Sequence, residues 1–145
     1  MKRPRDINIV IGIGIFAVIM TAAYWILWFA VPGVVQSRMP GDAGYAVYSG
    51  YELAFLLPDA YMVIAALVGV IGLWQMKDWG FLAMLLAAGA AIFLGLEDLL
   101  FDLENQLFVP FGGAAVIELA IVLLIMSLGP IMTVLLWKHR KELIC

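Results

Sequence analysis

Four stretches of this chain are apolar for more than twenty residues with few interruptions: Ile7 to Val31, Leu53 to Gln75, Trp79 to Phe101 and Ala114 to Trp137. A helix rising 1.5 Å per residue crosses a hydrocarbon layer ~30 Å thick in about 20 residues, so each run is long enough to span a bilayer. The expected fold is all-α, an antiparallel bundle of four transmembrane helices forming a single domain over residues 1–145. The connection Gln75-Met76-Lys77-Asp78 is short enough to make the second and third segments a helical hairpin.

Within each segment the pattern predicts an inward face. In the third, a helical period gathers Gly80, Met84, Ala87, Ala91, Gly95, Asp98, Asp102 and Asn105 on one arc and sets Phe81, Leu82, Leu85, Ile92, Phe93, Leu96, Leu100 and Leu103 opposite. Small residues let helices approach in a membrane, so the first arc should pack and the second should meet lipid. In the second segment Glu52, Asp59, Val63, Ala66 and Val70 share a side, opposed by Leu53, Leu57, Ile64, Leu67, Val68 and Ile71. Glu118 aligns with Ala114, Ala115, Val122 and Gly129 in the fourth, and Gly14, Ala17, Thr21, Tyr24 and Trp28 form a stripe in the first. Pro58 is expected in the opening turns of its helix, where a missing donor costs little.

Composition agrees with the pattern and adds orientation. Hydrophobic residues make up 66% of the chain and mean hydropathy is +1.07, against an apolar share of ~45–50% in soluble domains. Seven of the eight basic residues, Lys2, Arg3, Arg5, Lys77, Lys138, Arg140 and Lys141, fall on one side of the expected bundle. Short Lys- and Arg-rich segments stay in the cytoplasm, so both termini are expected there, in the cell membrane. With Asp6, Asp78 and Glu142 the inner side sums to +4; Arg38 and eight acids leave the outer side at −7, which recovers the net −3. The opening apolar run is about twice the ~7–15 residues of a secretory signal core, so the first helix should be retained. Trp25 and Trp28 outside, and Trp74, Trp79 and Trp137 inside, suit headgroup belts. Tyr45, Tyr48 and Tyr51, spaced by three, suggest a short interfacial turn in the first outer loop, a belt or a lid. The only cysteine is Cys145, so no internal disulfide can form.

The candidate chemistry lies in the outer acids. An ionisable residue within a span costs roughly 2.5–3.5 kcal/mol on insertion scales and usually faces a bundle interior or wet cavity. Asp59 and Asp98 combine depth with an inward face and are the expected core of a ligand site. Asp102, Asn105 and Glu118 are their companions, Glu97 and Glu52 lie at the rim, and Tyr24 and Trp28 supply rings. Glu104 and Asp42 complete the acidic side. Clustered carboxylates in low dielectric need compensation: a bound cation, shared protons, or Arg38 from the loop. A hard ion, Ca²⁺ or Mg²⁺, would draw on Asp59, Asp98, Asp102 and Glu118; without His or Cys on this side, zinc and copper are disfavoured.

Three functions are therefore open. The first is an outward-facing acidic pocket for a cation or a cationic, amphiphilic ligand, with transport as an extension. The second is an enzyme, isomerase or hydrolase, using paired carboxylates as acid and base on a lipid-like substrate. The third is an assembly subunit, of a homo-oligomer or a membrane complex, whose acids meet a partner's basic helix. Nothing in the chain suggests nucleic-acid binding. In helix number and intramembrane acidity the chain resembles sterol-isomerase-like four-helix membrane proteins, which implies the second reading. The run Pro58-Asp59, Gly72-Leu73-Trp74, Trp79-Gly80 and Gly95-Leu96-Glu97-Asp98-Leu99 through Asn105 also resembles a pattern in small four-helix membrane proteins of prokaryotes. That likeness covers the second and third segments and implies the fold.

Overall fold

A computed structural model describes residues 3–31, 42–109 and 111–144. The chain forms α1 (Arg5–Ala30), α2 (Asp42–Trp74), α3 (Asp78–Glu104), α4 (Gly113–Lys138) and a short α5 (Arg140–Ile144). The first four are long and apolar enough to cross a membrane. Both ends of the described chain lie at one end of the bundle, called here the terminal end, because Lys138 Nζ donates to Asp6 Oδ2 at 2.7 Å. The opposite end is the distal end.

The α3 helix is the centre of the packing. Half of its most apolar stretch is buried, against 17–22% for the other three helices. Gly80, Met84, Ala87, Ala91 and Gly95 are all buried, as the small-residue arc predicts. Leu53, Leu57, Ile64, Leu67, Val68 and Ile71 of α2 are all exposed, Leu57 by 79%, and form the lipid-type stripe. Phe81 departs from the pattern: assigned to the outer arc of α3, it is 7% exposed and belongs to the terminal-end core. That core joins α1, α2, α3, α4 and α5 through Val10, Leu73, Met84, Leu136 and Leu143.

The approach of α2 to α3 is set by glycine. A Cβ on Gly72 would lie 2.3 Å from Gly80 Cα, so the two backbones touch just above their turn. The turn itself closes with Lys77 N donating to Gly72 O at 2.8 Å and Met76 N to Leu73 O at 3.1 Å, with Met76 left-handed at φ 54°. This paired-bond ending satisfies carbonyls that a helix terminus leaves open. Arg3 donates to Trp74 O at 3.1 Å and sits 4.3 Å from the Trp74 ring centre, placing a cation at the negative end of α2. Arg140 does the same for α4, through Trp137 O at 2.8 Å.

One boundary differs substantially from the sequence reading. The second helix begins at Asp42, more than two turns before Leu53, and takes in Tyr48 and Tyr51. Gly44 and Gly50 each cost only ~1 kcal/mol in a helix interior, and no proline intervenes before Pro58. Pro58 is consequently sixteen residues into the helix, and the carbonyl of Ala54 lacks its usual partner there.

Candidate functional site

Three helices bring acids to the distal half of the bundle. Asp98 lies six residues before the end of α3 and Glu118 five after the start of α4, both ~8–9 Å below the distal helix ends at 1.5 Å per residue. Trp25, five residues before the end of α1, occupies the same level and donates from Nε1 to Asp59 Oδ2 at 2.8 Å. On α2, Glu52 and Asp59 stand two turns apart and adjacent residues of α1 hold both, Tyr24 bonding to Glu52 and Trp25 to Asp59, while Tyr51 beside Glu52 reaches Asp98.

A cavity of about 290 Å³ runs down from this level between the helices. Glu52, Asp59, Asp98, Asp102 and Glu118 all border it, and no Lys, Arg or His does among the described residues. Asp102 is the most enclosed of the five, 4% exposed. Below the acids the lining turns to hydrocarbon, with Met84 and Ala87 of α3 facing Ile125 and Met132 of α4. The space thus has a polar upper end and an apolar shaft.

Hydroxyl and indole donors satisfy the carboxylates in part. Tyr24 Oη donates to Glu52 Oε2, and Tyr51 Oη to Asp98 Oδ1 at 3.2 Å. Such bonds to an ionised acceptor are roughly twice as strong as neutral ones, so they orient the acids as well as stabilise them. Rings cover the distal end. Tyr51 stacks on Phe101 with centroids 3.7 Å apart, Tyr48 lies 6.4 Å from Phe101, and Trp28 lies 6.1 Å from Tyr48.

The nine residues singled out from the sequence divide accordingly. Asp59, Asp98, Asp102, Glu118, Glu52 and Tyr24 border the cavity. Asn105 does not: it caps α3, donating from Nδ2 to Phe101 O at 2.8 Å. Glu97 is half-buried away from the lining, and Trp28 stands behind it as part of the ring cover. Trp28 is 1% exposed and so packs inside the bundle and not in a headgroup belt, while half-buried Trp25 gives its indole N–H to Asp59. The proposed hard-ion set is spread along three helices, and among the described residues no three His, Cys, Asp or Glu side chains converge as a metal site requires. Arg38 lies outside the described residues, as do the side chains of Tyr45 and Asp42.

Residues missed from the sequence are Phe55, Met62 and Leu94, which wall the cavity from α2 and α3. Their positions follow from the faces of Asp59 and Asp98, one turn away in each case. Trp25 was missed as a site residue because a tryptophan near a helix end reads equally well as a belt residue. Compared with protein-family models, curated proteins and solved structures, the chain finds no significant match.

Proposed function

We propose that this chain is a multi-pass membrane protein that binds a cationic amphiphile, its charged head at the carboxylates and its hydrocarbon in the shaft below. The observation that carries this reading is the make-up of one cavity: five carboxylates at its upper end, no cationic side chain in its described lining, and an apolar floor. A cationic head is complementary to Glu52, Asp59 and Asp98, and Tyr24, Tyr51 and Phe101 offer ring faces to it. The volume is at the small end of ligand pockets, which run from ~300 Å³ upward. The distribution of basic residues supports cytoplasmic termini and an acidic pocket in the outer half of the membrane.

Binding is favoured over passage. Ser127 and Thr133 of α4 donate to their own helix at Leu124 O and Gly129 O, neither borders the cavity, and the core at the terminal end is apolar. The two tyrosine–carboxylate pairs, Tyr24 with Glu52 and Tyr51 with Asp98, support a second reading, acid/base catalysis on a lipid-like substrate. Turnover of the bound molecule, seen by mass spectrometry, would replace binding with catalysis.

The test is a comparison of matched ligands in purified protein. A charge pair at 4 Å is worth up to ~4 kcal/mol at an effective dielectric of 20, so removing one carboxylate should be easily measured. Asp98→Asn should weaken a long-chain primary amine at least ~10-fold and the alcohol of equal length less than ~2-fold. Equal binding of amine and alcohol by the unaltered protein would overturn the reading.

A further inference from the structure

The cavity is closed on three sides. Towards the distal end, Trp28 and Tyr48, 1% and 2% exposed, join Phe101 and Tyr51 in a tier of rings at the level of Glu52 and Asp102. Below, Val10, Leu73 and Leu136 are wholly buried and plug the shaft. The wall from α2 and α3 is continuous, with Met62, Ala66, Ala87 and Ala91 all buried.

The seam between α1 and α4 behaves differently. Phe16 and Met20 of α1, and Ile121 and Leu124 of α4, border the cavity while standing 42%, 54%, 40% and 45% exposed at the bundle surface. A side chain that borders an internal space and also reaches the outer surface marks an opening; four of them on two neighbouring helices mark a slot. The helices are held together beneath it, where Asp6 takes Lys138 at 2.7 Å and His139 at 3.0 Å. Phe16 and Met20 flank the midpoint of the 26-residue α1, so in a spanning bundle the slot faces acyl chains and not headgroups.

We infer that the ligand reaches the carboxylates sideways, out of the bilayer and through the slot between α1 and α4, and is accordingly a single-chain alkyl amine resident in the membrane. This rests on the binding function proposed above and specifies its ligand and route. Charge complementarity selects the head, since Glu52, Asp59 and Asp98 all border the cavity. Slot chemistry selects the tail: all four bordering residues are apolar, so a hydrated ion crossing there would lose its water without replacement. A single chain passes between two helices with less displacement than a two-chain lipid. In transit the head leads to the acids and the tail remains in the slot, where exposed Met20 and Leu124 replace lipid contacts.

Protein in lipid nanodiscs, with Cys145→Ala, Met20→Cys and Leu124→Cys, can be bridged by a short thiol-specific cross-linker and released by reductant. Association of a fluorescent dodecylamine, followed by stopped flow, should slow at least ~10-fold when bridged, a barrier increase of ~1.4 kcal/mol, and recover on reduction. With the unaltered protein, the rate should track the amine's mole fraction in the disc and not its aqueous concentration. An unchanged rate in the bridged protein, or a rate set by aqueous amine, overturns lateral access while leaving the site intact. Absence of amine binding by the unaltered protein would instead overturn the proposed function itself.

Discussion

Replacing Gly72 with alanine tests the closest contact in the bundle. The added Cβ would stand 2.3 Å from Gly80 Cα, 2.7 Å from Gly80 N and 2.6 Å from Cζ3 of Trp79. Carbon atoms rest at ~3.5–4.0 Å, so α2 and α3 must part by more than ~1 Å at this point. Two of the three atoms are backbone, and no rotamer change relieves them. Overpacking of this kind costs ~1–3 kcal/mol, occasionally more. Separation also opens gaps beside Leu73 and Phe81, and a gap of 0.5–1 Å forfeits a quarter to a half of each pair's dispersion well. The expected loss is therefore at the top of the range, about 3 kcal/mol, or roughly 100-fold in the folding constant. Gly89 is the control: a Cβ there meets nothing within 4 Å, and alanine removes up to ~1 kcal/mol of helix penalty. Unfolding in mixed micelles by increasing SDS mole fraction, read by circular dichroism, should place Gly72→Ala well below the parent and Gly89→Ala at or above it. Coincident transitions for the two variants would refute the backbone contact and the hairpin geometry built on it.

The Trp25 bond to Asp59 predicts an asymmetry. Trp25→Phe leaves a part-buried carboxylate without that donor and should cost about 1.5–3 kcal/mol in the same titration, whereas Trp25→Phe with Asp59→Leu should cost less than the single change; a double variant weaker than the single would contradict it. His139 is held above its ordinary range by its bonds to Glu142 and Asp6, with Lys138 the cation beside them on Asp6. Its contribution is therefore complete below the unfolded value of ~6.5 and disappears as pH rises through the folded value. Parent minus His139→Gln stability should fall with rising pH over that interval, and a flat difference would show that the imidazole titrates alike in the folded and unfolded chain.

Much of the packing was legible because membrane helices sort side chains by size. The exposed stripe from Leu53 to Ile71 and the buried arc from Gly80 to Gly95 follow from a 3.6-residue period and the need for close backbone approach. The inward turn of Asp59 and Asp98 is the same inference applied to charge. Phe81 escaped it, since a large ring beside Gly80 fills space that the glycine contact creates at the base of the hairpin. The start of α2 escaped because glycine and tyrosine composition resembles a loop, while helix continuation depends on rings such as Tyr48 finding Trp28 and Phe101 across the bundle. Asn105 was placed on the right arc of α3, yet at a helix end its amide serves the backbone first. The slot was invisible in principle: each of its residues is an ordinary lipid-facing side chain until α1 and α4 are seen together.

The pairing of Asp6 with Lys138 also governs the order in which the molecule can be made. The two residues are 132 positions apart, so the basal join between α1 and α4 cannot form until almost the whole chain has left the ribosome. The α2–α3 hairpin, closed by three residues and a glycine contact, can assemble as soon as α3 is in place. Helix α1 must meanwhile wait without its join to α4, its stripe of Gly14, Ala17 and Thr21 not yet enclosed. The cavity, which α1 and α4 both line, is then the last part of the bundle to be completed.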